Sequence, residues 1–176
     1  MKNILIIFLF ILSAASIFPM PEKIIIIRHG EKDKADETNH NLDEKGFNRS
    51  IKLPEVLLKK FENITAIYTP AVIPPSAKNI RSLQTVTPTA IKLKININTT
   101  FPANDVKQLS EELKNPKLDG KTVLVVWQHD QIIDMLKYLG VADAPEKWKS
   151  KEFDAIFIVT FKNGKTALSI DRENIN

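Results

Sequence analysis

Ile24-Ile25-Ile26-Ile27-Arg28-His29-Gly30-Glu31 joins four β-branched residues to a short polar group. An unbroken β-branched run reads as a strand buried on both faces, as in a parallel sheet covered by helices. The carboxyl end of such a strand opens into the crevice where open α/β sheets bind their ligands. Arg28, His29 and Gly30 are delivered to that crevice: a fixed cation, an imidazole, and a residue that lets backbone approach a ligand closely. The chain holds only three histidines, so one at a strand end carries information.

A second buried-type run, Val123-Leu124-Val125-Val126, passes through Trp127 and Gln128 into His129. If the two strands are parallel, both ends lie on one sheet edge, and two imidazoles meet there with Arg28. Between these runs, strand-like and helix-like segments alternate. Strands are expected at 23–28, 64–68, 94–98 and 122–127. Helices are expected at 42–61, with Pro54 kinking or dividing it, at 105–113, and at 130–139 with a stop at Gly140. Another helix, capped by Ser76, runs through Ile80, Leu83 and Thr87 and bends or restarts at Pro88. Segments 155–161 and 166–170 flank Asn163-Gly164, a favoured two-residue hairpin turn. The pattern predicts an α/β fold, a three-layer sandwich with a mostly parallel central sheet and a terminal β-hairpin.

The 176 residues suit one domain, and 43% apolar with 26% charged residues is ordinary globular composition. Residues 1–20 differ in kind. Lys2, the apolar stretch 4–12 and the small residues Ser13-Ala14-Ala15-Ser16 form the pattern of a secretory signal peptide. The apolar stretch is shorter than the roughly 18 residues that span a bilayer, which favours a cleaved leader over a retained anchor. The expectation is a secreted or periplasmic domain over 21–176, membrane-anchored only if the leader stays, with no stable membrane span after cleavage. Cysteine is absent, which excludes disulfides, a lipidated N-terminal cysteine and thiolate metal sites. The net charge of +4 comes from scattered lysines and arginines, and aromatics make up 7%. No basic stripe interleaved with aromatics exists, so nucleic acid is not an expected partner; a mild positive field suits anionic substrates.

Four blocks together resemble the histidine phosphatase (phosphoglycerate mutase-like) superfamily. They are Arg28-His29-Gly30-Glu31, Leu42-Asp43-Glu44-Lys45-Gly46, Arg81-Ser82-Leu83-Gln84-Thr85, and His129 after the late apolar strand. The resemblance covers 23–161. It implies a phosphoglycerate mutase-like fold and a metal-independent phosphomonoesterase without cofactor, with His29 as the nucleophile that accepts the phosphoryl group. Arg28, Arg81 and His129 would bind the phosphate oxygens. The implied substrate is a small phosphoester or an exposed phosphate on a larger molecule. The alternative is a catalytically silent phosphate- or partner-binding module of the same fold.

The residue chemistry agrees with this reading. A free imidazole titrates near pH 6.5, and neighbouring guanidiniums disfavour its protonated form. The planar arginine fork matches two phosphate oxygens at once. Phosphoryl transfer needs chiefly positioning and charge neutralisation. Two features depart from the family pattern. Thr69-Pro70 is followed by the Pro-rich insertion 71–79, which leaves the approach of Arg81 open. The proton donor is also unmarked: Asp130, directly after the second histidine, is placed ahead of Asp105, with Glu111 and Glu112 in the same stretch and Glu31 a third possibility. His40 reads as solvated, Trp127 as packing near the pocket, and Arg49 as a first-helix residue without an assigned role.

Overall fold

The computed structural model describes residues 19–33, 35–36, 38–74, 77–162 and 164–175. The leader and its small-residue cleavage segment lie outside them, apart from Pro19 and Met20. Ser76, expected as a helix cap, and Asn163 of the hairpin turn lie outside them as well.

Among the described residues, six strands form one sheet. They are β1 (Lys23–Arg28), β2 (Ile64–Tyr68), β3 (Ile97–Asn98), β4 (Thr122–Trp127), β5 (Ala155–Lys162) and β6 (Lys165–Arg172), in the order β3-β2-β4-β1-β5-β6. The first four of that order are mutually parallel, and β5 and β6 complete the sheet as an antiparallel hairpin. Four helices connect them: α1 (Glu44–Lys60), α2 (Ile80–Leu93), α3 (Val106–Leu113) and α4 (His129–Tyr138). Right-handed crossovers decide the layers. The chain moves through α1 and α2 toward one edge, then turns back through α3 and α4, so the two helix pairs cover opposite faces. Strand alternation divides the core accordingly. Ile25, Ile27, Leu124 and Val126 pack with Leu53, Leu57 and Val86 of α1 and α2, while Ile24, Ile26, Val123 and Val125 pack with Leu109, Ile132 and Leu136 of α3 and α4. All four β1 isoleucines are fully buried; each contributes roughly 1.5–3 kcal/mol from the area removed from water.

The expected α/β sandwich with a mostly parallel sheet and a hairpin is present. Three local expectations are corrected. Pro54 does not divide α1, and Pro88 does not interrupt α2; tertiary packing of α1 against α2 outweighs the missing backbone hydrogen bonds. The third strand is two residues rather than five, because α2 runs on to Leu93 and Lys94 ends it in the left-handed conformation, φ 57°. Among the described residues no helix is long and apolar enough to cross a membrane.

The topology places the site. β1 and β4 are adjacent and in register, Ile27 opposite Val126 and Arg28 opposite Trp127. The chain leaves β1 toward β2 and leaves β4 toward β5, in opposite directions, so their carboxyl ends form the switch point of the sheet.

Candidate active site

His29 extends the β1–β4 ladder by one bond, its backbone N–H donating to the Trp127 carbonyl at 3.1 Å. The chain then turns at Gly30 and Glu31, and two elements hold this turn. From α2, Thr85 Oγ1 accepts from the Gly30 N–H at 2.8 Å and donates to the Arg81 carbonyl at 2.7 Å. From the start of α1, the Asp43 N–H donates to the Glu31 carbonyl at 3.1 Å, and Asp43 Oδ1 caps the helix by accepting from the Gly46 N–H at 2.7 Å. Gly46 sits so close that a Cβ there would lie 2.4 Å from the Glu31 oxygen. Gln84 fastens the intervening loop, accepting from the Leu42 N–H at 3.0 Å and donating to Asn41 Oδ1 at 2.7 Å. The second and third sequence blocks are therefore the braces of the first.

The imidazole of His29 is 6% exposed. Its Nδ1 lies 2.7 Å from the Gly30 carbonyl oxygen. A carbonyl only accepts, so Nδ1 carries the proton and Nε2 keeps its lone pair. Burial holds the ring's pKa down to about 3, with Arg81, Arg28 and Arg49 adding to the effect and the Gly30 carbonyl opposing it. His29 is a neutral imidazole at physiological pH, with a defined tautomer.

Three arginines act on that ring. Arg28 is 6% exposed, and its Nη1 donates to the Ser150 and Glu152 carbonyls at 2.8 and 3.2 Å. Burial, then Arg49, draws its pKa down to about 10, which leaves it charged at neutral pH. Arg81, in the first turn of α2, is 7% exposed and its pKa is lowered by burial; its Nη1 reaches the His40 carbonyl at 3.5 Å. The 71–79 insertion ends at Asn79, whose amide donates to the Ala71 carbonyl at 2.6 Å and accepts from Gln128 Nε2. That contact joins the start of α2 to the end of β4, and Arg81 lies near enough for its charge to act on His29.

Arg49 is the third, and the sequence reading left it without a role. It lies on the buried face of α1 with Gly46, Leu53 and Leu57. Its Nε donates to Glu173 Oε2 at 2.6 Å, and its Nη2 donates to Glu173 Oε1 at 2.5 Å and to the Arg28 carbonyl at 3.2 Å. The helical period of α1 was the signal that could have found it. Nothing in the sequence marks Glu173. Among the described residues, Arg28 Nε, Arg49 Nη1 and Arg81 Nε are buried without a hydrogen-bond partner. Buried donors in folded proteins are normally satisfied, so three such guanidiniums around one imidazole suit an acceptor-rich anion.

His129 opens α4, half-buried, with its pKa lowered by burial and by Arg28 and raised by Asp130. Asp130 is exposed in the first turn of α4, and its charge acts on both Arg28 and His129. Asp105 is otherwise occupied: it caps α3, accepting from the Gln108 N–H at 3.4 Å. Glu112 bonds Tyr68 and Lys117. Glu31 pairs with Lys45 at 3.0 Å, and its Oε2 is buried without a partner. Trp127 is fully buried and donates to the Ala103 carbonyl at 2.9 Å. A cleft of about 790 Å³ lies alongside, lined by Glu31, Lys45, Arg49, Phe153 and Glu173 among others. Among the described residues no group of three or more histidines, cysteines and carboxylates is placed to hold a metal ion.

No protein-family model matches the chain, and no curated protein matches it. Solved structures do. SixA from Agrobacterium tumefaciens, a candidate phosphohistidine phosphatase, aligns over 86% of this chain and 98% of its own at 12% identity, TM-score 0.64. A phosphoserine phosphatase variant from Entamoeba histolytica, in complex with phosphoserine, aligns over 86% and 98% at 15% identity, TM-score 0.57. A phosphoglycerate mutase from Bacillus anthracis aligns over 88% and 93% at 14% identity, TM-score 0.53. The chain has the fold of the histidine phosphatase, phosphoglycerate mutase-like superfamily.

Proposed function

We propose that this protein is a phosphatase that hydrolyses phosphomonoesters through a phosphohistidine on His29. The observation that carries the reading is the state of His29: a buried neutral imidazole whose Nδ1 is bound to the Gly30 carbonyl, among three arginines with unused donors. Phosphatases among the solved structures of the same fold support it.

In this reading Nε2 attacks phosphorus and the bond from phosphorus to the leaving oxygen breaks. Arg28, Arg81 and His129 bind the equatorial oxygens and stabilise the charge that spreads over them. Asp130 gives its proton to the leaving oxygen. A water then attacks the phosphohistidine, with Asp130 taking the water's proton, and phosphate departs with His29 restored. Asp130 is preferred to Asp105 because Asp105 caps α3, whereas the charge of Asp130 acts on Arg28 and His129. The substrate would be a small phosphoester, or a phosphate presented on a larger molecule.

The test is turnover of para-nitrophenyl phosphate by the wild type and by His29→Ala, with trapping of an acid-labile, base-stable phosphoprotein. The reading expects turnover and a trapped phosphohistidine in the wild type, and neither in His29→Ala. Phosphate binding without turnover across several phosphoesters and a broad pH range would instead identify a silent binding module.

A further inference from the structure

The segment 139–154 between α4 and β5 contains neither helix nor strand, yet it contacts both Arg28 and His29. Trp148 anchors it: the indole is 5% exposed, lies against Phe157 with ring centroids 4.5 Å apart and planes inclined at 37°, and donates to the Glu152 carbonyl at 2.8 Å. That same carbonyl and the Ser150 carbonyl accept from Arg28 Nη1. The Phe153 ring then lies against the guanidinium, its centroid 3.8 Å from Arg28 Cζ. The same ring meets the His29 imidazole edge-on, with centroids 6.3 Å apart and planes inclined at 65°. On the far side, Asp154 is tied down by the Glu173 N–H, which donates to its carbonyl at 2.7 Å.

These contacts restrict Arg28 in two independent ways. The two carbonyls fix the direction of one guanidinium nitrogen, and the aromatic face fixes the plane of the group. A guanidinium so held presents its remaining donors without searching rotamers, which matters because bidentate oxyanion binding depends on the plane of the fork. Neither the strand that carries Arg28 nor the helices supply this constraint.

We infer that Phe153 is a positioning residue for phosphate recognition: its ring holds the Arg28 guanidinium in the plane that binds a phosphoryl oxygen pair. The inference rests on the proposed phosphate site and adds to it a residue outside the four sequence blocks.

The experiment measures inorganic phosphate affinity by calorimetry for the wild type, Phe153→Leu, Phe153→Tyr and Arg28→Lys, and for Arg28→Lys combined with Phe153→Leu. Leucine keeps the apolar bulk and removes the aromatic face. Phe153→Leu should weaken phosphate binding about 3- to 30-fold, the fold-change equivalent of a cation–π contact between its exposed and desolvated limits. Phe153→Tyr should restore it to within about twofold. In the Arg28→Lys background the leucine substitution should change little, because the two effects act through one contact. Equal affinity of Phe153→Leu and wild type, or the same loss in both backgrounds, overturns the inference. Should Phe153→Leu fail to fold, Phe153→Met, which also keeps apolar bulk without an aromatic face, takes its place with the same expected loss, and unchanged affinity overturns the inference. Absence of phosphate binding by the wild type would overturn both the site and the inference. Phosphate binding without para-nitrophenyl phosphate turnover would defeat only the catalytic reading.

Discussion

Replacing Glu173 by alanine should be among the most damaging single changes in this protein, although Glu173 is only the partner of a partner. The carboxylate is fully buried, Arg49 is 6% exposed, and the pair shares two hydrogen bonds. Burial raises the Glu173 carboxyl above its usual pKa even though Arg49 opposes it. The sign follows. A carboxyl raised in the fold contributes stability at pH below its unfolded value and loses that contribution as pH rises through the folded value. Ionising Glu173 therefore costs stability as the pH rises through its folded-state pKa, Arg49 offsets part of that cost, and the damage of Glu173→Ala lies in the guanidinium it strands. Removing one member of a buried pair costs about 3–5 kcal/mol, a large part of the roughly 5–15 kcal/mol that holds a domain together. With a urea slope of about 2 kcal/mol/M, the midpoint should fall by on the order of 2 M. An internal control is available: Lys60–Asp171 is a pair of similar length, 2.8 Å, with side chains 28% and 42% exposed. Asp171→Ala should cost at most about 1 kcal/mol. Urea unfolding followed by circular dichroism measures both. Arg49→Met with Glu173→Leu should be less destabilised than Glu173→Ala alone, because no charge is left buried. If Glu173→Ala falls no further than Asp171→Ala, or the double variant loses the sum of its singles, the account of a stranded guanidinium is wrong.

Gly46→Ala should destabilise the fold by about 1–3 kcal/mol, since the methyl would overlap the Glu31 backbone and push α1 away from the His29 turn; urea unfolding and turnover should fall together. His29, held neutral down to about pH 3, contributes stability that is present above pH ~6.5 and lost as the pH falls through about 3. His29→Asn should therefore flatten the pH dependence of unfolding free energy across that window, and a parallel curve in the two proteins would refute the burial argument. Asp130→Asn should slow a substrate with a poor leaving group by roughly 10²-fold or more and para-nitrophenyl phosphate far less, as expected for a lost general acid; equal effects on both substrates would exclude that role.

Periodicity and strand-end chemistry made the core of the site legible. The four-isoleucine run and the Val123–Val126 run read as central strands, and their ends carry Arg28, His29 and His129. Arg81, Gln84 and Thr85 were readable as a block, but their division of labour was not. That Thr85 holds Gly30 and Gln84 holds the loop at 41–42 depends on how α2 docks, which no local pattern encodes. Pro54 and Pro88 misled because a local penalty of a few kcal/mol is overridden when a helix has a buried face on each side of the proline. Arg49 was visible in outline, as a charge on the apolar stripe of α1, whereas Glu173 and Phe153 lie in irregular backbone, where neither helical nor strand spacing applies.

The Arg49–Glu173 contact also sets an order of events for the ribosome. Its two residues are separated by 124 positions, and Arg49 in turn grips the carbonyl of Arg28. A nascent chain can dock α1 on β1 early, but the guanidinium it buries has no counter-ion until Glu173 has emerged. Partly synthesised chains should therefore hold this region loosely, and the proposed phosphate pocket should tighten only once Glu173, just past β6, has arrived. Pulse-labelled intermediates would show that delay as late protease protection at the end of β1.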